Sequence, residues 1–127
     1  MLYRIRLHLA RSPEFPSGSA QHGYEIVAPL DAEGILDGSA WHRERKLCTV
    51  RRFWAGESDR YGQLLHSPGG AGGATWVIDY DETTSEDDEK GYRFDRHAFI
   101  PGQYVTVNDR HGAHTFRVID VEQTAEQ

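Results

Sequence analysis

Tyr3, Ile5, Leu7 and Leu9 alternate with Arg4, Arg6 and His8 at the start of this chain. A period of two belongs to a strand with one buried and one wet face. The same short alternation returns further on, each time broken by glycine, proline, aspartate or asparagine. Tyr24 and Ile26 lie in a second strand over 23–28, which Pro29 ends. Residues 49–54 are β-branched and aromatic, 61–66 follow as a strand, 74–80 put Trp76, Ile78 and Tyr80 on one face, and 92–99 resumes aromatic alternation. Residues 104–107 and 115–121 also read as strands. The segment between them, Asn108-Asp109-Arg110-His111-Gly112, suits a type I turn followed by a bulge. One helix is predicted: Asp37 N-caps a short run from Ser39 to Lys46, with Ala40, Trp41, Glu44 and Leu47 on one face.

About six to eight short strands separated by turns predict a mainly β fold. We expect a small antiparallel β-barrel or barrel-like sandwich with one short α-helix. Its core should draw on Tyr3, Ile5, Leu7, Tyr24, Ile26, Val50, Trp76, Ile78, Phe94, Val105, Val107, Phe116 and Val118. The 127 residues fit a single domain. Glycine-rich 67–73 and the acidic stretch at about 81–90 are expected to be connections, the second a mobile loop extended by its own charge repulsion.

Composition narrows the function classes. The net charge is −6, and it is unevenly placed. Residues 1–66 hold 9 Lys+Arg and 8 Asp+Glu, whereas 67–127 hold 5 and 12. Such a chain repels a phosphate backbone unless a basic face is set apart from the acid, so nucleic acid is a disfavoured partner. No stretch reaches the roughly 20 apolar residues of a membrane-crossing helix. Met1 to Ala10 alternates instead of forming an apolar run, so we expect it to belong to the fold and not to a targeting segment. The single cysteine, Cys48, lies in a strand-like run, where a thiol acts as a small hydrophobe. The absence of a disulfide framework favours a cytoplasmic home.

No residue pattern carries a recognised chemistry. The seven histidines are scattered, and His111 and His114 straddle a turn without a third ligand, so no metal is expected. Asp79, Asp81 and Thr83 match the first odd positions of a calcium loop. Thr84 stands where that loop needs glycine, however, and Lys90 where it needs glutamate. No serine sits in a nucleophile elbow. Asp95 and His97 would share one face of a strand and are the nearest approach to an acid–base pair. Arg43, Arg45, Lys46, Arg51 and Arg52, followed by Phe53 and Trp54, form the most basic stretch. These residues either hold phosphates and stack bases, or neutralise nearby carboxylates while Trp54 packs. The candidate binding residues are therefore Arg43, Arg45, Arg51, Arg52, Trp54, Asp95 and His97.

Two resemblances are present. Phe99-Ile100-Pro101-Gly102-Gln103-Tyr104-Val105 resembles the segment that opens a barrel strand in ferredoxin-reductase-like flavoenzymes, over about seven residues. The Arg-x-Tyr-Ser flavin motif of that family is missing, so the likeness implies a turn feeding a barrel strand and no cofactor. More broadly, Gly-Tyr-x-x-Val-Ala-Pro-Leu at 23–30 and Arg-Arg-Phe-Trp at 51–54 resemble short bacterial proteins of no assigned activity. Three functions follow in order. The first is a non-catalytic binding or interaction module with an unidentified partner, such as a basic protein docking on the acidic loop. The second is a small-molecule enzyme or ligand carrier using a barrel-mouth pocket. The third is single-stranded nucleic acid binding.

Overall fold

The computed structural model describes residues 2–67, 75–80, 89–92, 98–109 and 112–124. Its eight strands are β1 (Leu2–Leu9), β2 (Ser19–Pro29), β3 (Thr49–Trp54), β4 (Arg60–Ser67), β5 (Thr75–Tyr80), β6 (Glu89–Tyr92), β7 (Tyr104–Asp109) and β8 (Gly112–Gln123). Each pairs antiparallel with the next, and β8 pairs with β1 to close a barrel. Closure depends on the length of β8. Its first half faces β7, and its second half, from Phe116 to Gln123, faces β1.

The alternation in the sequence translates directly into the barrel. Ile5, Leu7 and Leu9 point inward from β1, Tyr24, Ile26 and Ala28 from β2, and Trp76, Ile78 and Tyr80 from β5. Val105, Val107, Phe116 and Val118 complete the far wall. The interior is thus packed with side chains, as expected of a small barrel. Tyr3 is only half buried, because it stands near the barrel rim. Leu64 and Phe99 are buried although the sequence pattern did not place them in the core, and Tyr80 is buried on the face it shares with Trp76 and Ile78. Phe94 lies outside the described residues.

Two boundaries differ from expectation. Strand begins before the expected 92–99: β6 spans Glu89–Tyr92, so Glu89 and Lys90 pair with Ile78 and Val77 instead of ending the acidic loop, while 93–97 lie outside the described residues. Pairing with β5 sets that earlier start, and 98–100 are not strand. The last hairpin is also tighter than its composition implied. Asp109 pairs with Gly112, leaving two residues between the strands in place of a longer bulged loop. Residues 68–74 and 81–88, the glycine-rich and acidic connections, lie outside the described residues.

The helix forms where predicted. Asp37 has extended backbone, and its Oδ1 accepts hydrogen bonds from Ser39 N and Ala40 N, both at 3.1 Å, opening α1 (Gly38–Glu44). A single 3-10 turn, Arg45–Leu47, continues it. Asp37→Ala should cost about 1 kcal/mol. Equilibrium urea denaturation measures this, and an unchanged midpoint would mean that the cap does not hold α1.

Cys48 follows that turn, wholly buried, with Sγ 3.5 Å from the Glu44 carbonyl oxygen. Burial, helped by the Glu44 charge, pushes its thiol from 9.0 to about 12. The folded thiol then holds its proton while the unfolded one releases it. Stability present below pH 9.0 is lost as pH rises toward about 12, at up to about 1.4 kcal/mol per pH unit. Denaturation of wild type and Cys48→Ala on both sides of pH 9.0 should show this slope in the wild type alone.

Candidate functional site

Pleating divides the basic stretch that the sequence singles out. Arg51 and Phe53 point outward from β3, and Arg52 and Trp54 point inward. Arg51 bonds Asp59 at 2.9 Å, lies 3.7 Å from Glu25 and sits over the Phe53 ring at 4.9 Å. The neighbouring carboxylates hold its guanidinium pKa above the ordinary value, against the desolvation that would lower it. Arg52 is only 7% exposed, lies 3.2 Å from Glu57 and covers Trp54 at 4.3 Å. Trp54 in turn stands edge-on to His22, whose Nδ1 is 2.6 Å from Ser19 Oγ. Burial, and then the Arg52 charge, lowers the His22 pKa. Arg43, Arg45 and Lys46 are exposed on α1 and its 3-10 turn. Asp95 and His97 lie outside the described residues. Of the named candidates, the structure brings Arg51 and Arg52 to carboxylates and takes Arg45 to a cavity.

That cavity, of about 900 Å³, opens between α1 and the end of the barrel. It is lined by Asp31, Leu36, Asp37, Trp41, His42, Arg45 and His66, together with Gly38 and Ser39. Its floor is apolar and fixed. Trp41 is 7% exposed and anchors the helix by donating from Nε1 to the Leu64 carbonyl at 2.7 Å. His66 stacks on Trp76 at 4.2 Å and meets the Trp41 ring edge-on at 5.7 Å. Helix and sheet approach closely here because residue 38 is glycine. A Cβ at Gly38 would fall 2.6 Å from His66 Cε1.

The rim is held by the loop between β2 and α1. Asp31 Oδ1 accepts from Glu33 N at 2.8 Å and Ile35 N at 3.0 Å. Leu30 bridges Leu36, and Asp37 N donates to the Pro29 carbonyl at 3.0 Å. Gly34 takes a φ of +82°, and its carbonyl receives Phe99 N at 2.7 Å. Two aspartates, two imidazoles and a guanidinium therefore surround an aromatic floor. Among the described residues Arg45 makes no ion pair, and no three His, Cys, Asp or Glu side chains form a metal-binding group.

Arg45 is the one member of this cavity that the sequence marked as a site residue. Asp37 and Trp41 were legible as cap and helix face. Asp31, His42 and His66 carried no local signal, because they meet only when α1 folds across the barrel end. Comparison of the chain with protein-family models, characterised proteins and solved structures returns no match. Among the described residues no helix is long and apolar enough to cross a membrane.

Proposed function

We propose that this chain is a non-catalytic binding module whose ligand occupies the cavity between α1 and the barrel end. The observation that carries the reading is a preformed space of about 900 Å³ with an aromatic floor and convergent polar groups. Ligand sites commonly have this size and character. Among the described residues the barrel interior is filled with side chains, which favours binding at the end. The polar groups favour holding over turnover. One oxygen of each aspartate already holds backbone N–H groups, the Trp41 N–H is spent on Leu64, and the thiol of Cys48 is buried and protonated. The ligand that fits has a flat apolar body over Trp41 and an acceptor or anionic group toward Arg45. A cytoplasmic setting accords with the one free, buried thiol.

A second reading, an enzyme acting in the same cavity, draws on the two imidazoles and two carboxylates at its rim. One experiment separates the two. A fragment library titrated into the labelled protein, followed by amide NMR, should give shifts that cluster on Gly38, Ser39 and His42 and on the Trp41 indole. Gly38→Ala, whose Cβ would fall 2.6 Å from His66 Cε1 in the cavity lining, should abolish those hits. Chemical conversion of a hit during titration would move the assignment to an enzyme. Shifts gathered elsewhere on the barrel, or hits that survive Gly38→Ala, would remove the cavity as the site.

A further inference from the structure

A second cleft differs from the first in the sign of its charge. It holds about 730 Å³ where the loop after β1 folds back over β1 and β8. Its polar lining comes from His8, Arg11, Ser17, Ser19, Tyr104, Thr115 and Arg117, and among the described residues no carboxylate lines it. This is unusual in a chain of net charge −6. Arg4, Arg6, Arg51 and Arg52 each lie within 4.0 Å of a carboxylate. Among the described residues Arg11 and Arg117 have no such partner.

The sheet prepares this surface. His8 lies opposite Arg117 on β8, and Arg117 lies opposite Tyr104 on β7, so the three form one outward row across three strands. Tyr104 is 54% exposed and offers its ring to solvent. The loop brings Arg11 to the same place. Ala10 N donates to the Thr115 carbonyl at 3.0 Å, tethering the chain to β8. Gly18, at a φ of +74°, turns the chain back so tightly that a Cβ would meet the Leu9 carbonyl oxygen at 2.8 Å. Two guanidiniums from separate elements, flanking hydroxyls and an exposed ring suit a doubly charged oxyanion attached to a flat group.

We propose that this cleft binds a nucleotide phosphate, with the phosphate between Arg11 and Arg117 and the base against Tyr104. A free mononucleotide and a single strand of nucleic acid share that chemistry, and the test distinguishes them. Inorganic phosphate, adenosine monophosphate and a short oligothymidylate are titrated into the full chain by calorimetry, with amide NMR to locate the site. The mononucleotide should bind more tightly than phosphate, and Tyr104→Ala should erase that advantage. Arg11→Ala and Arg117→Ala should each weaken binding about tenfold or more, at unchanged melting temperature. Oligothymidylate binding tighter than the mononucleotide, with a steep salt dependence, assigns the source to a nucleic acid strand. Equal or weaker oligothymidylate binding assigns it to a free nucleotide. The proposal is overturned if none of the three binds with a dissociation constant below about 10 mM. Affinity unchanged in both arginine variants would overturn it as well.

Discussion

Phe116→Ala should lower the stability of this barrel by about 3–5 kcal/mol. The side chain is 0% exposed, and its ring stands edge-on to Tyr24 at 5.1 Å and to Trp54 at 6.5 Å. Its position makes the loss expensive. Phe116 pairs with Val105 on β7 and with Leu9 on β1, so it lies on the seam where β8 closes the barrel. Three strands converge on the space its ring fills, and all are held in register by backbone hydrogen bonds, so the cavity left behind cannot collapse. A domain of this size typically has only about 5–15 kcal/mol in total. The melting temperature should therefore fall by roughly 10 °C or more. Thermal and urea unfolding measure it directly, and a variant that melts with the wild type would take Phe116 out of the core.

Gly23→Ala should be nearly as damaging, at about 3 kcal/mol or more, although it adds a single methyl group. Gly23 sits on the outward face of β2, opposite His8 on β1 and Phe53 on β3. A Cβ there would lie 1.9 Å from the Leu7 carbonyl oxygen and 3.0 Å from the Phe53 ring. The ring can swing away, but the carbonyl belongs to β1, beside the register shift between His8 and Leu9. Relief requires β1 and β2 to separate at that point. The glycine also lets His8 and Phe53 meet edge-to-face across it, 6.1 Å apart. Gly56→Ala is the fitting comparison. Gly56 has a φ of +85° but open space around it, so only backbone strain of about 1–2 kcal/mol is expected. Denaturation of both variants separates the two effects. If Gly23→Ala proves the milder one, the close approach of Gly23 to Leu7 is not limiting.

The comparison of strand and site shows where sequence reading succeeds. The alternation Ile5-Leu7-Leu9 and Trp76-Ile78-Tyr80 placed both faces of β1 and β5 correctly, because a strand's period is independent of its partners. Asp37 was legible as a cap because its partners, Ser39 N and Ala40 N, are its own neighbours in the chain. The same rule of alternation explains why Arg51-Arg52-Phe53-Trp54 is two half-sites facing opposite ways. Contiguous in sequence, these residues divide between the outer surface and the interior. The start of β6 differs for the converse reason: Glu89 and Lys90 are strand because β5 pairs with both and β7 with Lys90, which no local propensity records.

Periodicity and capping, both local properties, determined from the sequence alone that this chain is a mainly β domain with one short helix after Asp37. The tertiary structure decided what those elements bring together. It set His66 beside Gly38 and Trp41 under α1, and it set Arg11 beside Arg117 and Tyr104 on the closing strands. His66 lies 25 residues from Trp41 and Arg11 lies 106 from Arg117 in the chain. Their meeting depends on barrel closure and strand register, which arise only when every strand has found its neighbour.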